Sequence, residues 1–121
     1  MYNSIAQKLY EILPDDWDDV VMYAHVEKNV YEMFFYVRVD GKYINCYSMD
    51  KVFGISRAKV IACFDDIYKI LYPDYEEKEW YTATIKLNDQ GDFLMYYDYN
   101  DEGLEEIPYH KMWKEKYVPA E

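Results

Sequence analysis

Between Val30 and Ser48, in VYEMFFYVRVDGKYINCYS, two runs of alternating residues flank Asp40-Gly41. Successive side chains of a strand point to opposite faces. Tyr31, Met33, Phe35, Val37 and Val39 therefore form one apolar stripe, and Glu32, Phe34, Tyr36 and Arg38 form the other face with Tyr43, Asn45 and Tyr47. Asp-Gly suits a two-residue type I′ turn, which needs positive φ at both positions. That turn predicts a hairpin pairing Val39 with Lys42, Val37 with Ile44, Phe35 with Cys46 and Met33 with Ser48. Val20 to Val26 reads as the preceding strand. Matching its apolar positions to the stripe pairs Val26 with Tyr31, Ala24 with Met33 and Met22 with Phe35 across either a tight turn at Lys28-Asn29 or a four-residue loop with the same pairing sum, which completes a three-stranded meander.

Elsewhere the period lengthens to that of a helix. Ile5, Leu9, Ile12 and Leu13 predict a helix from about Asn3 to Leu13, opened by a capping box of Ser4 and Gln7 and stopped by Pro14. Ser56 is the expected N-cap of a second helix, with Val60, Ile61, Phe64, Ile67, Tyr68 and Leu71 on one face and Pro73 at its end. The acidic run Asp74 to Glu79 then reads as a solvated connector. Trp80 to Leu87 and Phe93 to Tyr99 predict a second hairpin around Asp89-Gln90-Gly91, with Gly91 left-handed. It pairs Leu87 with Phe93, Ile85 with Met95 and Ala83 with Tyr97, and it puts Trp80, Thr82, Thr84, Tyr96 and Asp98 on the outer face. Pro108 to Tyr117 reads as a short terminal helix. The expected fold is α+β, one domain over 1–121. It has an antiparallel sheet of about five strands, two main helices on one face and a short C-terminal helix. The place of the second hairpin in the sheet is not readable from the pattern.

Composition narrows the function. Of 121 residues 51% are hydrophobic and 31% charged, which suits a folded core rather than disorder. A net charge of −11 disfavours nucleic acid and anionic membranes and attracts a basic protein, although the same charge also serves solubility. No apolar run approaches a membrane span and no leader pattern opens the chain, so the expected location is cytoplasmic. Cys46 and Cys63 lack metal or redox spacing and are expected as reduced, buried thiols. The two histidines, His25 and His110, come with no nucleophile elbow, phosphate loop or zinc spacing, so neither enzyme chemistry nor a cofactor is expected. Asp98 to Gly103 imitates the start of a calcium loop, but its twelfth position is Tyr109 rather than a bidentate carboxylate, and no metal is expected. Trp17, among Asp15, Asp16, Asp18 and Asp19, is expected to pack beneath its loop.

Several segments in one order resemble the YezG-like immunity protein family. The first helix leads to Pro14, Asp15, Asp16 and Trp17 and then to Tyr23-Ala24. Met33-Phe34-Phe35-Tyr36, Trp80-Tyr81-Thr82, Tyr97-Asp98-Tyr99-Asn100-Asp101 and the ending Trp113 to Tyr117 follow. The second helix departs from the family in being poorer in Trp and Glu. The resemblance implies a small cytoplasmic antitoxin, encoded beside a polymorphic toxin of the type VII secretion system, often one with an LXG-type N-terminal region. Such a protein binds and neutralises a toxin domain, often a nuclease. On that reading Tyr36, Tyr43, Trp80, Tyr96 and Asp98 on the outer sheet face, with Asp101, are the expected contact residues. The competing expectation is that the C-terminal segment covers this face. An exposed aromatic face would also permit a homodimer when the toxin is absent. The alternatives in other classes are a non-catalytic small-molecule or peptide-binding module and an acidic nucleic-acid mimic outside any toxin system.

Overall fold

Asp40 and Gly41 both adopt positive φ, 52° and 79°, and the hairpin they close is present. The computed structural model describes residues 1–118; positions 119–121 of the domain expected over 1–121 lie outside them. Strand β1 (Trp17–Glu27) pairs antiparallel with β2 (Val30–Val39), with Val26 opposite Tyr31, Ala24 opposite Met33 and Met22 opposite Phe35 as the stripes predict. Asn29 at φ 64° makes the turn between them.

Strand β3 (Lys42–Asn45) is shorter than expected. Val39 pairs with Lys42 and Val37 with Ile44, but the pairs Phe35–Cys46 and Met33–Ser48 do not form. Asn45 is the cause: its side-chain oxygen accepts the Tyr47 amide at 2.8 Å and turns the chain into a 3₁₀ turn at Cys46–Ser48. A short helix, α2 (Met49–Phe53), follows where only a connection was expected, and it ends at Gly54 with φ 70°.

Helix α1 (Tyr2–Tyr10) begins one residue earlier than predicted and ends before Leu13. Met1 is its N-cap and Ser4 lies inside the helix, so the expected capping box is absent. Helix α3 (Arg57–Lys78) starts as read, with Ser56 Oγ accepting the Lys59 amide at 3.3 Å. It then runs through Pro73. Proline deletes one helical hydrogen bond and crowds the preceding turn. The continuation is held from outside: Asp74 accepts from Trp80 Nε1 at 3.1 Å and from the Tyr97 hydroxyl at 2.7 Å, and it pairs with Lys78 at 3.0 Å. Asp74 to Lys78 is thus the end of a helix and not a connector.

The same clamp corrects the placement of Trp80. Strand β4 (Thr82–Asn88) starts two residues later, so the alternation of the pleat does not reach Trp80. Its indole turns to the helix side, 1% exposed, and stacks on Tyr97 at 5.8 Å between centroids. Strand β5 (Phe93–Asp98) pairs with β4 in the predicted register.

The strand order is β3-β2-β1-β4-β5, so the second hairpin joins at β1 and makes it the central strand. Helices α1 and α3 pack on one face, over Met22, Ala24, Phe35, Val37 and Ile85. Both cysteines are free and buried in this core, and Trp17 packs at its edge against Tyr10. Helix α4 (Glu106–Tyr117) lies on the other face, where Val21, Tyr23, Tyr109 and Trp113 form a second, smaller core.

Candidate partner-binding surface

The outer face of the sheet is occupied by the chain itself. Trp113 Nε1 donates to Thr84 Oγ1 at 2.8 Å, and the Tyr109 hydroxyl donates to Asp98 at 2.6 Å. His110 Nε2 meets Glu32 at 2.8 Å. Beneath them the Tyr23 ring is stacked on Phe34 at 4.5 Å and meets Trp113 edge-on at 5.3 Å, an arrangement aromatic quadrupoles favour. Burial, and then the bond to Asp98, raise the Tyr109 phenol well above its ordinary range; burial does the same for Tyr23. Both phenols stay neutral: Tyr109 acts as a donor, and Tyr23 as packing surface.

The turn leading into α4 is built by Asn100, at φ 50°. Its side chain accepts the Leu104 amide and donates to the Leu104 carbonyl, both at 3.0 Å. The calcium-like run therefore closes on itself, and Tyr109, at the twelfth position, donates back to the first residue, Asp98. Glu32, Glu106 and His110 bring potential metal-ligand atoms within 4.8 Å of one another. Glu106 and His110 are one helical turn apart, and the bond to Glu32 makes the group a brace between α4 and β2. His25 bonds the Tyr81 carbonyl at 2.6 Å and Glu27 at 2.9 Å. The cysteines sit across the sheet from both histidines. Burial pushes the Cys63 thiol up to about 12 and also raises Cys46.

The six expected contact residues are dispersed by this arrangement. Trp80 is in the main core. Asp98 is half-buried and engaged by Tyr109. Tyr36 lies under Lys114, whose ammonium sits 5.3 Å from the ring centroid, and Tyr43 donates to Asp19 at 3.0 Å. Tyr96 and Asp101 remain exposed, Tyr96 beside Tyr117. The burial of Tyr36 and Tyr43 follows from α4, whose weak helical pattern predicts a helix without saying which face it covers.

A feature that pattern reading did not assemble is the end of the sheet where β1 starts and β2 and β4 finish. There Asp15, Asp16 and Asp18 lie beside the turns that carry Asp40, Asp89 and Asp92, all exposed except half-buried Asp18. The Asp89 amide donates to the Asp18 carbonyl at 2.9 Å and ties two of these loops together. Arg38 partly offsets the charge through its 2.6 Å pair with Asp19.

No helix among the described residues is long and apolar enough to cross a membrane. Comparison with known proteins gives a consistent result. Immunity protein YezG of Bacillus spizizenii is 26% identical over 113 residues, which cover 84% of this chain and 68% of the relative. The type VII secretion system protein EsaG of Staphylococcus aureus is likewise 26% identical over 113 residues, covering 84% and 67%. Immunity protein YezG of Bacillus subtilis is 26% identical over 111 residues, covering 84% and 72%. The family model described as "Immunity protein YezG-like" matches residues 1–119 of the 121. The chain belongs to the YezG-like immunity protein family.

Proposed function

We propose that this protein is a cytoplasmic antitoxin that binds one toxin domain of a type VII secretion system and neutralises it without catalysis of its own. The observation that carries the reading is the family match across 1–119. The charge supports a finer assignment: a nuclease domain presents a basic surface to its substrate, and a −11 protein with a carboxylate-rich sheet end is steered towards such a surface. Exposed Tyr96 and Asp101 are proposed contacts at the β5 side, with the flanks of Tyr36 and Tyr43 and the Asp98 turn at the rim. A homodimer in the absence of toxin belongs to the same proposal.

The test is a pull-down from the native host with the tagged protein, followed by a purified-component assay. Recovery of one toxin-like protein whose nuclease activity falls stoichiometrically on adding this chain supports the proposal. Recovery of no such protein, under conditions where the toxin is expressed, defeats it. Retention of full affinity in a Tyr96→Ala/Asp101→Asn variant removes the β5 patch while leaving the antitoxin role.

A further inference from the structure

At the edge of the sheet remote from β5, the strand β2 is left half unpaired among the described residues. Of its ten residues only Tyr36 to Val39 face β3. In a two-residue hairpin the pair closing the turn, here Val39 with Lys42, exchanges both main-chain bonds, and bonded pairs recur at every second residue. Val37 therefore bonds Ile44, and the main-chain groups of Phe35, Met33 and Tyr31 point to the same side; the Phe35 amide is taken by the Cys46 sulfur, and those of Met33 and Tyr31 lie past the end of β3. The β1–β2 turn gives the same parity, since it directs the even-numbered residues of β2 towards β1. Where β3 would continue, the chain has instead turned away at Asn45.

The space that β3 vacates is a groove of about 710 Å³. Tyr31, Glu32 and Met33 line it consecutively, as a strand edge does, and Ile55, Val60, Ile61 and Phe64 form the opposite wall. Its mouth carries large apolar side chains turned to solvent: Tyr47 is 57% and Ile61 48% exposed, with Val52 of α2 nearby in sequence at 54%. Glu32 and Asp50 also line the groove, with Arg57 as its cation.

We propose that this groove receives an extended segment of the toxin, which adds as a strand to the open edge of β2. The proposal rests on the antitoxin reading and deepens it by naming where the affinity arises. Main-chain bonds to Tyr31 and Met33 hold the segment, and its alternate side chains, apolar towards Ile55, Val60 and Phe64, supply selectivity. A cation on the segment faces Asp50, since the Glu32 carboxylate is held on the other face by His110. An unpaired edge beside an apolar wall is otherwise an aggregation hazard, and occupation by a partner strand removes it. This edge and the Tyr96 patch lie at opposite sides of the sheet, so each is tested without the other.

The experiment is residue-resolved hydrogen–deuterium exchange on the full chain, alone and with the purified toxin domain obtained from the pull-down. The Tyr31 and Met33 amides exchange quickly in the free protein and become protected at least about tenfold in the complex, a change of at least one decade in the opening constant. Ile61→Arg, on the exposed face of α3, keeps the free protein's exchange pattern elsewhere and weakens toxin binding at least about tenfold; Tyr47→Ala is the second variant, should the arginine disturb α3. A complex in which both amides stay unprotected overturns the strand-addition proposal and leaves the antitoxin role standing, whereas absence of any complex defeats that role itself. Protection that grows with protein concentration in the toxin-free sample, with a dimeric mass, assigns the edge to a second copy and also overturns the proposal.

Discussion

Asp74 holds together the part of the fold that local sequence argues against, and removing it has a calculable cost. Its carboxylate is 12% exposed and carries three bonds: Trp80 Nε1 and the Tyr97 hydroxyl on one oxygen, Lys78 on the other. A hydrogen bond to a charged group contributes about 1.5–3 kcal/mol, and a buried donor left without an acceptor costs about 1–3 kcal/mol. The Lys78 ammonium is 42% exposed, so its pair contributes no more than about 1 kcal/mol after screening. Asp74→Ala strands the buried Trp80 N–H and frees Tyr97, and it is expected to destabilise by about 3–4 kcal/mol, a large share of an ordinary domain's stability. Asp74→Asn keeps one acceptor oxygen for Trp80 and Tyr97, loses the charge and the exposed Lys78 pair because an NH2 group replaces the other oxygen, and is expected to cost about 1 kcal/mol. Urea titration followed by far-UV circular dichroism and tryptophan fluorescence measures both. Burial alone would raise the Asp74 pKa, but the bonds from Tyr97, Lys78 and Trp80 outweigh it and hold the carboxyl below its ordinary value. A depressed folded pKa contributes stability that is complete above the unfolded carboxylate value of about 3.9 and is lost as the pH falls through the folded value. The gap between wild type and Asp74→Asn should therefore be constant from neutral pH down to that region and close below it. If Asp74→Ala costs less than about 1 kcal/mol, or the two substitutions cost the same, the clamp does not sustain α3 beyond Pro73 and the argument is refuted.

Further outcomes follow from single contacts. Glu79 ends α3 at φ 56°, where a side chain is strained, so Glu79→Gly should raise stability by about 0.5–1 kcal/mol in the same titration; a loss would show the side chain compensates. Trp113→Phe removes the donor to Thr84, a buried hydroxyl, and should lower stability by about 1–2 kcal/mol in a thermal melt while leaving the main-core aromatic signal of Trp80 in place. Cys46 and Cys63, buried and with raised thiol pKa values, should resist iodoacetamide near neutral pH and both react once the chain is denatured; labelling of folded protein would contradict their placement.

What is legible without coordinates is what neighbours along the chain decide. Asp40-Gly41 and Gly91 demand particular backbone angles, and once a turn is set the pleat carries the register outward, so both hairpins and the β1–β2 pairing follow from apolar stripes alone. The α+β class, the Ser56 cap and the buried thiols are of this kind, and the resemblance of ordered segments leads to the family that the comparison shows. Tertiary structure decides wherever two remote groups outbid a local preference. Pro73 stops a helix by itself, yet Asp74 bonded to Trp80 and Tyr97 carries α3 onward and draws Trp80 away from the face that alternation assigns it. The union of the two hairpins at β1 needs six backbone pairings between segments some sixty residues apart, which no periodicity encodes. Helix α4 has little amphipathic signal because its anchors are a few specific bonds, from Tyr109, His110 and Trp113, rather than a continuous apolar stripe. The open edge of β2 arises from one side-chain bond at Asn45 that ends β3 early, and its consequence, a groove, exists only once α3 has packed across from it.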